Sequence, residues 1–295
     1  MALLIITTIL WAFSFSLIGE YLAGSVDSYF SVLMRVGLAA LVFLPFLRTR
    51  GQSPRTIVLY MLVGAMQLGI MYLLAFRAYL YLTVSEFLLF TVFTPLYITL
   101  IYDLLSGRKL RWGYLLSAAL AVLGAAIIRY DKVSDHFWTG LLLVQLSNLC
   151  FAIGMVGYKR LMEVRPMPQH NAFAWFYVGA FIVAVAAWFM LGNAQKLPTT
   201  TLQWSVLVWL GVVASGLGYF MWNYGATQVD AGTLGIMNNV HVPAGLLVNL
   251  AIWQEQPHWP SFISGALVIL ASLWVHRRWV APHSGQTADD RRRDR

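Results

Sequence analysis

Apolar residues in this chain run in blocks of about twenty, the length a helix needs to cross the hydrocarbon core of a bilayer. Ten such blocks are read near residues 2–19, 28–47, 56–76, 80–104, 112–129, 138–158, 171–191, 204–222, 232–253 and 260–277. The third and fourth almost merge, since only Arg77 interrupts them. Of the 295 residues, 59% are hydrophobic and 11% charged, against roughly 25% charged in a soluble domain. A soluble core of this size cannot hide so much apolar surface. The lipid bilayer is therefore the expected solvent, and the expected fold class is an all-α membrane protein of ten transmembrane helices. The first block has neither a basic n-region nor a small-residue cleavage site and is expected as a retained span.

Orientation follows from lysine and arginine. With the N-terminus in the cytoplasm, the connections on that side hold Arg48, Arg50, Arg55, Arg108, Lys109, Arg111, Lys159, Arg160 and Arg165. The tail adds Arg277, Arg278, Arg291, Arg292, Arg293 and Arg295. The opposite side holds Arg77, Arg129, Lys132 and Lys196. Fifteen against four is a positive-inside bias, so both termini are expected to be cytoplasmic. The net charge of +8 is thereby explained by topology and calls for no nucleic-acid partner. The polar segment 280–295 is expected as a disordered cytoplasmic tail. One cysteine, Cys150, leaves no internal disulfide framework.

The chain also matches itself. Pro95 over Pro243 superposes the fourth block on the ninth, and one residue of slippage brings Trp112 over Trp259, Ala119 over Ala266 and Leu123 over Leu270. Ile18–Gly19 fits Val156–Gly157 less closely. Each half holds five spans, an odd number, so the second enters the membrane in the opposite sense. The expected domains are a first repeat over 1–130 and a second over 137–279. Inverted repeats of this kind are a plan of secondary transporters.

These segments resemble the drug/metabolite transporter superfamily in its ten-helix form, with two EamA-type repeats. Leu33–Met34–Arg35 followed by Val36–Gly37–Leu38–Ala39–Ala40 is similar to the family's arginine-containing second helix. Ala78–Tyr79–Leu80–Tyr81–Leu82–Thr83 leading to Pro95 is similar to the start of the fourth, and Tyr224–Gly225–Ala226 leads to Pro243 in the same way. Gln254–Glu255 stands before the last helix, where the family has an acidic residue. Ser106–Gly107–Arg108–Lys109 departs from the Glu–Arg pair of many members, so nothing is carried over from that pair. Within the superfamily, Met237–Asn238–Asn239–Val240–His241–Val242–Pro243, Gln145–Leu146–Ser147–Asn148 and Arg129–Tyr130–Asp131–Lys132 resemble the branch that carries biotin in enterobacteria. That resemblance implies a secondary transporter importing biotin across the bacterial inner membrane. The alternatives are an exporter of amino acids or related metabolites on the same fold, or a non-transporting membrane enzyme or sensor.

Ionisable groups inside a bilayer are costly and usually face the protein interior or a wet cavity. Three sit well inside spans: Arg35, Glu86 and His241. Arg35 lies roughly 10 Å from the outer end of the second span, at 1.5 Å per residue, and Glu86 is read at a similar depth. They could form a compensating structural pair. Alternatively Arg35 receives an anionic group of the substrate, because a guanidinium offers two donors matched to a carboxylate. His241 is read either as a satisfied hydrogen-bonding group or as part of a cavity wall with Asn238 and Asn239. Pro95 and Pro243 favour the second, since paired interruptions in corresponding spans point to a transporter's site. Gln67, Gln145, Ser147, Asn148 and Asn223 are further polar groups at mid-depth, serving either interhelical bonding or a neutral group such as a cyclic urea. Trp11, mid-span beside Ser14 and Ser16, either packs or stacks on a substrate ring. Gly211, Ser215 and Gly218 resemble a small-residue packing stripe.

The chain has no Walker-type glycine loop, no His or Cys pair at metal-ligand spacing and no nucleophile elbow. Neither a cofactor, a metal nor an enzymatic activity is expected.

Overall fold

In the computed structural model the described residues are 2–105, 135–229 and 231–254, with single positions at 120 and 123 and a few between 259 and 274. Apart from those positions, the fifth and tenth expected spans lie outside them, as does the tail 280–295. Every regular element among the described residues is helical. Seven helices are long and apolar enough to cross a membrane: α1 (Ala2–Leu22), α2 (Ser28–Phe46), α3 (Pro54–Ala78), α4 (Val84–Leu105), α5 (His136–Val164), α6 (Gln169–Leu191) and α7 (Thr201–Ala226). An eighth, α8 (Ala231–Val248), continues as a π-helical turn over Asn249–Trp253 and ends at Gln254, whose φ of 56° is left-handed.

Local chemistry sets the starts of these helices. The first turn of a helix leaves N–H groups without intrahelical partners, and a side-chain oxygen just before it can satisfy one. Asp27 accepts from Phe30 N at 2.9 Å to start α2, and Ser53 accepts from Thr56 N ahead of Pro54 to start α3. Thr83 and Glu86 form a reciprocal capping box on α4, as Thr200 and Gln203 do on α7. The Thr83 cap moves the start of the fourth span from the expected residue 80 to Val84, after a turn through Tyr79–Thr83. Glu86 is therefore in the first turn of its helix rather than six residues inside it.

The helices close into a circle. In order of contact it runs α1, α7, α2, α6, α3, α5, α4, α8 and back to α1. Helices from the first and second halves of the chain alternate all the way round. Large apolar side chains such as Ile9, Leu41, Leu142 and Phe189 are exposed on the outside, as a lipid-facing surface requires.

Several helix crossings are close enough to need glycine. A Cβ on Gly64 of α3 would collide with the Phe176 backbone of α6, and one on Gly179 of α6 with the Met61 backbone of α3. In the α2–α7 contact, Gly211 packs on Leu38 and the Arg35 carbonyl. Both helices widen here into π-helical turns, over Ala65–Ile70 just after Gly64 in α3 and over Leu210–Leu217, which includes Gly211, in α7. Such turns interrupt the regular ladder and free backbone groups, which is why they recur at functional sites.

A pair of amides ties α3 to α7 in the interior. Gln67 Nε2 donates to Asn223 Oδ1 at 3.1 Å and Asn223 Nδ2 returns a bond to Gln67 Oε1 at 3.3 Å. Both side chains are fully buried. Removing one partner strands the other, at a cost of about 1–3 kcal/mol, whereas removing both is close to neutral. Gln67→Leu and Asn223→Leu should each lower the melting temperature in detergent. The double variant should melt above the sum of the two losses, and simple additivity would show that the amides act independently.

Candidate functional site

Inside the circle is a cavity of about 650 Å³, its open mouth included. Its wall draws mainly on the second half of α1 and α3 and the first half of α2 and α4, with Ser147, Asn148 and Phe151 of α5, Tyr219 of α7 and Asn238 of α8 added. Because successive helices run in opposite directions, those segments share one end of the circle. The Gln67–Asn223 pair is not part of that wall, nor is Trp222, whose Nε1 lies 3.3 Å from Met155 Sδ.

The wall is rich in aromatic rings. Trp11 is 5% exposed and spends its N–H on the Ala214 carbonyl at 3.0 Å, so it offers the cavity only its ring. That ring lies 4.5 Å from Tyr219 and 6.4 Å, edge on, from Phe151. Tyr72, Phe76 and Tyr79 follow at helical spacing along one face of α3 and its end, with Tyr79 stacked on Phe87 of α4 at 4.3 Å.

Arg35 supplies the charge. It is 3% exposed, and its guanidinium carbon sits 4.1 Å from the centre of the Tyr72 ring, a cation–π arrangement. Its Nε donates to Ser215 Oγ at 2.5 Å, and the Tyr72 hydroxyl is 2.9 Å from the same oxygen. Ser215 belongs to the π-helical turn of α7, whose freed carbonyls at Ser215 and Gly216 accept from the Tyr177 hydroxyl at 2.6 and 3.1 Å. No carboxylate pairs with Arg35 among the described residues. The expected partnership with Glu86 is not formed: Glu86 Oε2 accepts from Thr83 N at 2.9 Å, and Glu86 does not line the cavity. A guanidinium held by Nε and by one face, beside aromatic rings, is pre-organised to receive an anion on its remaining donors.

Of the other candidates, Trp11, Asn148 and Asn238 line the cavity, as do Ser14 and Ser147. Asn148 Nδ2 donates to the Phe90 carbonyl at 2.9 Å, and Gln145 Nε2 to the same oxygen at 3.3 Å. These amides serve a helix break. α4 is interrupted at Val92–Phe93, beside Pro95, whose ring denies the Thr91 carbonyl its usual donor. Thr94 Oγ1 satisfies that carbonyl at 2.7 Å. Gln145 and Gln67 do not line the cavity. At Pro243 the expected break is not seen, for α8 runs helical from Ala231 to Val248. The side chains of Asn239, His241 and Pro243 lie outside the described residues.

Sequence reasoning passed over Tyr72, Phe76 and Tyr79, although their i, i+4, i+7 spacing marks one helix face. It read Ser215 as a packing residue. Its neighbours Gly211 and Gly218 do pack closely, on Leu38 and Trp11, but the hydroxyl has a second task in fixing Arg35.

Comparison with known proteins bears on this site. The profile of the EamA-like transporter family matches residues 1–130 and 138–277. A "Biotin transporter" of Escherichia coli strain K12 is 84% identical over 294 residues, covering 100% of this chain and 98% of that protein. A "Probable biotin transporter" of Pseudomonas aeruginosa is 55% identical over 279 residues, covering 94% and 97%. A solved crystal structure, 17% identical, superposes with a TM-score of 0.64 over 93% of this chain and 95% of its own; at that identity it speaks for the fold alone. A profile matched along nearly the whole chain, and a relative aligned from end to end, support one conclusion: the chain belongs to the EamA-like transporter family.

Proposed function

We propose that this chain carries biotin inward across the bacterial inner membrane, by alternating access around the cavity that Arg35 faces. Biotin is a monocarboxylate on a flexible apolar chain ending in a compact bicyclic urea. Among the described residues, one buried guanidinium in an uncharged wall rich in aromatic rings matches that layout, and this is the observation that carries the reading. The names of the relatives supply the substrate; the chemistry of the wall agrees with it.

The mechanism rests on two inverted five-helix repeats, residues 1–130 and 137–279, making ten spans with both termini cytoplasmic. Support comes from equivalences between the halves. α2 packs on the π-helical turn of α7 as α6 packs on that of α3, and Gly211 meets the Arg35 backbone as Gly64 meets that of Phe176. With the N-terminus inside, the cavity lies in the outer half of the membrane. Beneath it the Gln67–Asn223 pair and the Trp222–Met155 contact close the inner half. An outward-open cavity with a closed floor is the state in which an importer loads. Substrate then moves inward when the α1–α8 and α4–α5 contacts exchange with their counterparts.

The test is uptake of labelled biotin at nanomolar concentration into cells unable to synthesise it, with and without the gene. Saturable accumulation that depends on the gene is expected. Equal uptake in both strains removes biotin as the substrate. Faster loss of preloaded biotin from gene-bearing cells reverses the direction and makes the chain an exporter.

A further inference from the structure

Most neutral donors around the cavity are already spent. Ser14 Oγ donates to the Leu10 carbonyl, Ser147 Oγ to that of Met71, Asn148 Nδ2 to that of Phe90 and Thr94 Oγ1 to that of Thr91. Two are not. Asn238 is 1% exposed and its Nδ2 has no hydrogen-bond partner; Tyr79 is 7% exposed and its hydroxyl has none. Both line the cavity, Asn238 from α8 and Tyr79 from the end of α3. Native proteins rarely leave buried donors unmatched, and a stranded one in a binding cavity marks a place for an acceptor.

We infer that Asn238 Nδ2 and the Tyr79 hydroxyl are the specificity-determining donors of the site, and that the atom they receive is the carbonyl oxygen of the substrate's cyclic urea. This rests on the biotin reading and adds a second recognition point to the carboxylate held by Arg35. The tyrosine is pre-set for the task, because its ring is fixed in a 4.3 Å stack on Phe87. Two neutral donors suit a neutral acceptor. They oppose a guanidine in the same place, which presents N–H groups where the urea presents oxygen. A site built around a hydrogen bond rejects an analogue lacking the partner far more strongly than a purely apolar pocket does.

The experiment measures competition against labelled biotin uptake by desthiobiotin, which keeps urea and carboxylate, and by 2-iminobiotin, in which the urea oxygen becomes nitrogen. The wild-type protein should be inhibited by desthiobiotin and about 100-fold less well by 2-iminobiotin. Asn238→Ala should weaken biotin by about 10- to 100-fold and leave 2-iminobiotin within a few-fold, so the discrimination shrinks. Tyr79→Phe keeps the stacked ring and removes one donor, and should reduce discrimination by roughly 10-fold; it also decides the matter if Asn238→Ala does not reach the membrane. If both variants weaken the two compounds by the same factor, or neither variant alters the ratio, the inference is overturned while biotin transport stands. If the wild-type protein takes up no biotin at all, the substrate reading itself has failed, and this inference fails with it.

Discussion

Arg35→Met is expected to abolish saturable biotin uptake while leaving the protein in the membrane. The guanidinium is buried, held by Ser215 Oγ at 2.5 Å and by the Tyr72 ring, with no carboxylate against it among the described residues. A carboxylate arriving there meets a fixed donor in a low-dielectric wall. Losing one partner of such a buried pair costs about 2–5 kcal/mol, which is roughly 30-fold to beyond 1,000-fold in transport efficiency. Arg35→Lys keeps the charge but loses the planar fork, the stacking surface and the Nε bond, and should fall between the two. A merely structural arginine predicts a different pattern. Uptake would then fall along with thermal stability, and biotin and its uncharged amide would suffer equally. The direct comparison is competition by biotin and by biotinamide: wild type should prefer the acid strongly, and Arg35→Met should lose that preference. Unchanged preference in the variant would remove Arg35 from the binding role.

What could be read in advance followed from local rules. Runs of apolar residues located the seven described spans, and the cost of an intramembrane charge singled out Arg35. What could not be read depended on neighbours distant in sequence. Gln67 was an isolated polar group until α7 brought Asn223 beside it, 156 residues away. Gln145 and Asn148 resembled substrate ligands, yet they largely answer the Phe90 carbonyl exposed by the break in α4. Glu86 is instructive because the signal was local and overlooked. Thr83-x-x-Glu86 is a capping box, and recognising it shortens the fourth span and moves Glu86 to its first turn. The Tyr72–Phe76–Tyr79 face was equally legible by spacing. Its meaning was not, since aromatic faces in a membrane protein serve lipid, packing and cavities alike, and only the circular order of the helices decides which.

Gly64→Val and Gly179→Val are each expected to prevent accumulation of folded protein. At the α3–α6 crossing the contact is backbone to backbone: a side chain on Gly64 meets Phe176, and one on Gly179 meets Met61, with no flexible group to move aside. Helices in lipid lack a hydrophobic drive toward each other and rely on close approach at small residues. Overpacking a tight contact costs typically 1–3 kcal/mol and more where backbone must shift. The expected readout is detergent-extracted protein below about a tenth of wild type for either valine. Gly37→Ala is the control, because its new methyl group meets only the exposed ring of Phe181. The crossing also matters beyond stability. α3 carries Tyr72, Phe76 and Tyr79 into the cavity wall, and Tyr177, two residues before Gly179, holds the turn that presents Ser215 to Arg35. Gly64→Ala, a smaller wedge, should therefore yield some protein that melts lower and binds biotin more weakly, because parting α3 from α6 disturbs both supports of the guanidinium. Wild-type yield and melting temperature in both valine variants would mean that α3 and α6 can separate freely, and that the geometry around Arg35 is set elsewhere.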